Sequence, residues 1–193
     1  LEVNKYISKA IIKYKGNEKI TEFDNEKIAK LEIRSKELTD TTIKLEYNIE
    51  VKNVGNVTGR VDKIIDYLPA ELTFDENENV GWQLGSDGIL YNDLLEDVNI
   101  KPGDSKVITI VLNKKMTKDN TGVISNVVEI SDIKTDNTLT NKEKDENNIA
   151  TQEMIITVST GRVIGIAVFV IALINFLVIM AGIKTGKIKR IYK

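Results

Sequence analysis

The chain has no cysteine and no histidine. Without them there is no disulfide framework, no Cys nucleophile, no His-based triad and no His or Cys zinc site. Only carboxylates, Ser, Thr and Lys remain as catalysts, so hydrolase chemistry is disfavoured and no enzyme is expected. Proline is scarce: Pro69 must end a strand or sit at an edge, and Pro102 stands in a turn. Helical periodicity is missing from the first ~160 residues. Excess positive charge is missing there too. Of the 27 basic residues five lie at the extreme C-terminus, which leaves 22 against 29 acidic ones and argues against a nucleic-acid partner. The chain opens at Leu1 with neither a Met nor a charged-then-apolar export signal, which predicts a C-terminal piece of a longer precursor.

What the chain does have, first, is an apolar run of membrane length. Residues 163–183, VIGIAVFVIALINFLVIMAGI, carry no charge and a single amide, Asn175. At about 1.5 Å per residue this is roughly 31 Å of helix, the thickness of a bilayer core. Lys184, Lys187, Lys189, Arg190 and Lys193 follow it, whereas only Arg162 adjoins its other end. Positive charge stays on the cytoplasmic side. The expectation is a single-pass cell-membrane protein that meets the lipid bilayer through 163–183. Its parts are an extracellular domain over 1–158, a short linker over 159–162 and a basic cytoplasmic tail over 184–193. The external part has the size of one domain.

That domain reads as strands. In residues 1–14 alternation puts Leu1, Val3, Lys5 and Ile7 on one face; residues 15–27 read as a charged loop; Ala29, Leu31 and Ile33 mark a second strand. The clearest signal is TTIKLEYNIEVKN, where Ile43, Leu45, Tyr47, Ile49 and Val51 alternate with polar residues, as in a half-buried antiparallel strand. After the turn NVGNVTG, RVDKIIDYLP is extended. VGWQL and ILYN are short hairpin strands, KPGD is a turn, and SKVITIVLNK reads as a strand covered on both faces. GVISNVVEISD places Ile124, Asn126, Val128 and Ile130 on one face, and EMIITVS is a last strand. Strands every ten to fifteen residues, with no helix outside the bilayer, predict an all-β, immunoglobulin-like antiparallel sandwich.

The successive elements YNIEVKNVGNVTG, VDKIIDYLPAELTF, KPGD and ISNVVEI resemble an Ig-like repeat domain of unknown function from surface, adhesin-type proteins of Gram-positive bacteria. The resemblance covers roughly residues 41–131. It implies a cell-surface stalk or adhesin module. Unlike many anchored relatives, the chain has no Leu-Pro-x-Thr-Gly sorting signal before its apolar run, only VSTGR at 158–162, which points to a retained membrane anchor.

Three polar residues occupy faces that are otherwise apolar: Lys5, Asp66 and Asn126. A buried ammonium or carboxylate costs several kcal/mol unless paired. One reason for such a grouping is covalent. Burial favours the neutral amine of Lys5, which can attack the amide carbon of Asn126 while a protonated Asp66 polarises the carbonyl and shuttles protons as ammonia leaves. The product is an intramolecular isopeptide bond. Gram-positive surface domains of the collagen-adhesin type use such a Lys, Asn and acid grouping, and the resemblance implies nucleophile, electrophile and acid roles for Lys5, Asn126 and Asp66. Glu46 is a weaker alternative acid, since it falls opposite Leu45 and Tyr47. The plain alternative has Lys5 with its head in water, Asp66 capping a turn and Asn126 bonding a loop.

The oxygens of Asp132, Asp136, Asn137, Asp145, Glu146, Asn147 and Asn148 suit Ca²⁺ but lack EF-hand spacing, so neither metal nor cofactor is expected. Trp82, Tyr91 and Tyr67 read as core aromatics. The expected role is a membrane-anchored structural or stalk module presenting upstream domains. The alternative is an adhesin-type module that itself binds an extracellular protein or glycan.

Overall fold

A computed structural model describes residues 1–135 and 148–160. The strands are β1 (Glu2–Tyr14), β2 (Asn17–Glu22), β3 (Ile28–Arg34), β4 (Thr41–Lys52), β5 (Gly59–Tyr67), β6 (Thr73–Phe74), β7 (Trp82–Leu84), β8 (Ile89–Asn92), β9 (Ser105–Lys115), β10 (Gly122–Thr135) and β11 (Ile149–Ser159). They form two sheets, ordered β2-β1-β4-β9-β6 and β3-β11-β10-β5-β8-β7. The central trios, β1-β4-β9 and β11-β10-β5, follow the A-B-E and G-F-C order of an immunoglobulin sandwich. All pairings are antiparallel except that of β3 with β11.

Period-two patterning builds the core. Ile43, Leu45, Tyr47, Ile49 and Val51 of β4 are buried, and Ile124, Val128 and Ile130 of β10 face them from the other sheet. In β1 the pattern survives through a bulge. The register with β4 shifts between Ile7 and Lys9, leaving Ser8 as an extra residue. Val3, Lys5 and Ile7 point inward before it, Ala10 and Ile12 after it. Asn53 ties the far end together. Its Nδ2 donates to the carbonyls of Val57 (2.8 Å) and Ile100 (2.7 Å), and its Oδ1 accepts from the Gly55 amide at 3.0 Å.

Several expectations need correction. Residues 17–22 are not loop but β2, which hairpins off β1 through Lys15 and Gly16, both at positive φ, as a two-residue type I′ turn requires. This edge strand is exposed on both faces and carries no alternation. Ser35–Asp40 and Glu76–Glu78 are short 3-10 helices, where no helix was expected. Strand β9 is not covered on both faces. Ile108, Ile110, Leu112 and Lys114 are buried, whereas Val107 is 49% exposed, because β9 belongs to a two-layer sandwich with one solvent face. Of Trp82, Tyr67 and Tyr91 only Trp82 is core, its indole N–H donating to the Thr109 carbonyl at 2.9 Å. Tyr67 and Tyr91 lie on the outer face of the second sheet, since their neighbours Asp66, Leu90 and Asn92 take the inner positions. Strand β11 reaches Ser159, inside the expected linker. The apolar run 163–183, the tail and residues 136–147 lie outside the described residues. Among the described residues no helix is long and apolar enough to cross a membrane.

Candidate functional site

Three strands bring the inward polar residues together. Lys5 is near the start of β1, in register with Ile49 of β4. Asp66 sits in β5, opposite Val128 of β10, so Asn126 is its diagonal neighbour on the same inner face. Lys5 reaches across from the first sheet to the second. Its Nζ bonds Asp66 Oδ2, and both side chains are fully buried. Asn126 is equally buried, yet neither its Oδ1 nor its Nδ2 has a hydrogen-bond partner. The other Asp66 oxygen, Oδ1, also has none.

A fourth group completes the pocket. Tyr47 of β4, two positions from the register partner of Lys5, places its ring centroid 5.0 Å from Lys5 Nζ. Its hydroxyl is buried and unbonded. The Asn126 amide acts on the ionisation of both Tyr47 and Asp66, which puts it beside each, but neither approach has the distance and angle of a hydrogen bond.

The electrostatics follow from burial. Desolvation lowers the Lys5 pKa to about 8, against the opposing charge and hydrogen bond of Asp66. Desolvation likewise raises that of Asp66, against the opposing pull of Lys5. Both shifts act against the charged forms. Passing the ammonium proton to the carboxylate gives a neutral amine and a neutral acid, with no proton taken from solvent, and burial narrows the gap between the ion pair and that uncharged pair. Such a pair next to an unbonded primary amide has the parts for acyl transfer from the Asn126 amide to the Lys5 amine.

Lys5 and Asp66 thus pair in the core, and Asn126 is buried on the same inner face as Asp66. Glu46 does not join them: it lies on the outer face, where it pairs with Lys9 at 2.8 Å and accepts from Ser8 Oγ at 2.9 Å. Sequence reasoning passed over Tyr47 as simple core. It also missed Lys114, a second inward lysine whose buried Nζ has no hydrogen-bond partner and whose pKa burial lowers. Alternation with Ile108, Ile110 and Leu112 carries the signal that finds Lys114. Of the proposed Ca²⁺ oxygens, Asp132 belongs to β10 and Asn148 is buried, and the other five residues lie outside the described residues. Among the described residues no cluster of acidic groups could hold a metal.

No protein-family model and no curated protein matches this chain. Solved structures with similar outlines include the CARDB domain of the PF1109 protein of Pyrococcus furiosus, at 15% identity over 81% of this chain and 88% of that one, TM-score 0.37. Another is the collagen-binding domain of the Erysipelothrix rhusiopathiae surface protein RspB, at 8% identity over 60% of this chain and 45% of that one, TM-score 0.33. A third is the collagen-binding domain of a Staphylococcus aureus adhesin, at 8% identity over 64% and 93%, TM-score 0.33. These likenesses are loose, and the functional reading rests on the pocket.

Proposed function

We propose that this chain is a membrane-tethered cell-surface stalk module, a β-sandwich that cross-links itself through an isopeptide bond between Lys5 and Asn126 promoted by Asp66. The observation that carries the reading is the pocket itself: a lysine paired with an acid in a dry core, beside an amide with no other partner. An ordinary core polar group finds hydrogen bonds, so a buried amide with none is unexplained as a structural element. It is explained as an electrophile. For a domain without cysteine, a bond between the first strand and the penultimate one replaces the disulfide such external domains commonly use. The apolar run 163–183 and its five trailing cations supply the tether.

Peptide mapping of the full chain recovered from membranes tests the reading. A digest should yield one branched peptide joining the Lys5 and Asn126 segments, lighter than their sum by one ammonia. Asp66→Ala should give only the two linear peptides. Linear peptides from the unaltered protein would sink the proposal. Failure of the chain to sediment with membranes would remove the tether alone.

A second reading, a module that itself binds an extracellular protein or glycan, is supported by the outer face of the second sheet. Val127, Tyr67 and Ile89 line up across three strands, next to the row Glu129, Ile65 and Tyr91, a half-exposed outer face with two tyrosines in which the Tyr67 hydroxyl donates to Glu129. Loss of cell adhesion in a folded Tyr67→Ser, Tyr91→Ser variant would favour it.

A further inference from the structure

The Lys5 pocket contains one group that the proton transfers do not use. Tyr47 lies on the inner face of β4, beside the strand that carries Lys5, with its ring against the amine and its hydroxyl buried beside the Asn126 amide. Packing explains the ring. It does not explain a phenol oxygen kept from water without a partner, because Phe would fill the same space without that cost. The Asn126 carbonyl oxygen in the same pocket is also unpartnered. A donor and an acceptor left apart in the resting pocket are what a site needs when its hydrogen bond belongs to a later geometry, that of a tetrahedral carbon.

We propose that the Tyr47 hydroxyl is the hydrogen-bond donor to Asn126 Oδ1 as that oxygen gains negative charge during bond formation, an inference that rests on the cross-linking reading above. The lone pair of the neutral Lys5 amine forms the new bond to Asn126 Cγ, and the carbonyl π pair moves onto Oδ1. Tyr47 donates to this oxygen and keeps its proton. Asp66 gives its proton to Nδ2 and takes one from the former amine nitrogen. The Cγ–Nδ2 bond then breaks, the carbonyl re-forms, and ammonia leaves. Asp66 ends protonated, as it began, and no other reactant is needed. Burial raises the Tyr47 pKa above its ordinary value, so the phenol stays a donor at any pH the protein meets.

The full chain made by cell-free synthesis into liposomes gives a starting point before the bond has formed. Sampling over time and comparing branched with linear peptides gives a rate. Tyr47→Phe keeps the ring and removes the donor, and should slow branching on the order of 10² to 10³-fold, the usual effect of deleting one oxyanion donor. A folded Tyr47→Phe chain that branches at the wild-type rate overturns the proposal. If that variant does not fold, 3-fluorotyrosine at position 47 decides. Its more acidic phenol should speed branching, whereas an unchanged rate assigns Tyr47 to packing and overturns the proposal. Wild-type chain that never branches would instead refute the cross-linking reading itself.

Discussion

At pH 7 Lys5 and Asp66 hold protons between them in a place water does not reach, and this makes their titration visible in stability. The Lys5 pKa is lowered from its ordinary 10.5 to about 8. Between those values the unfolded chain binds a proton that the folded chain has released, so stability rises with pH across that window. The Asp66 shift has the opposite sense. Its raised pKa means that the folded chain keeps a proton the unfolded chain loses above about 4, and this contribution fades as pH climbs through the raised value. The clean comparison is in chains that cannot cross-link. The urea midpoint of Asn126→Ala should climb from pH 8 to pH 10 relative to a Lys5→Met, Asn126→Ala double variant. The slope should approach about 1.4 kcal/mol per pH unit, the limit for one proton. A flat difference would mean that Lys5 titrates as an exposed lysine.

Among the elements, β1 has the most demanding geometry, because its two halves must both face the core although a bulge separates them. With Ser8 in place, Lys5 and Ala10 both point inward. Deleting Ser8 restores strict alternation, so if Ala10 and Ile12 keep their places, Val3, Lys5 and Ile7 turn to solvent. The deletion should abolish the branched peptide while the domain still folds, which peptide mapping together with circular dichroism would reveal. Much of this was legible from the sequence. Strong alternation in β4 and β10 made Tyr47 and Asn126 inward residues, and the three polar exceptions stood out against it. What was not legible has physical causes. β2 is an edge strand wet on both sides, so nothing imposes a pattern on it. The Ser35–Asp40 turn has a single buried side chain, Leu38, too little for helical periodicity. The apolar run of β9 hid an alternation because its outward positions are also β-branched, Val107, Thr109 and Val111, which suits a pleated surface as well as a buried one. Tyr47 was unremarked as a site residue because an inward aromatic satisfies a core pattern without its hydroxyl being considered.

For the molecule as a whole, a Lys5–Asn126 bond closes most of the domain into one covalent loop. By the loop-entropy estimate used for disulfides, such a closure restricts the unfolded chain by roughly 4 to 5 kcal/mol. Asn126→Ala removes the bond but leaves the Lys5–Asp66 pair intact, and so isolates this effect better than loss of either charge would. Calorimetry should find its melting temperature lower by on the order of 10 to 20 °C. A change of only a degree or two would mean that the core alone supports the fold.

The parallel pairing of β3 with β11 matters once the chain is put under tension. If the proposed tether holds, a pull from the bilayer would enter through Ser159 at the end of β11, and a pull on the other end of the sequence would enter at Leu1. With Lys5 bonded to Asn126, tension passes from the start of β1 straight into β10, and residues 6–125 form a slack loop outside the load path. Only the segment from 126 to 159 can pay out, roughly 110 Å at about 3.3 Å per residue. That segment is held by β11, which lies between antiparallel β10 and parallel β3. Bonded along both edges, to β10 and to Ile28–Arg34 of β3, β11 leaves the sheet only by losing both rows of hydrogen bonds. On the proposed reading, β11 would be the strand through which load leaves the domain, and the place of the cross-link would set in advance how far the tether can give.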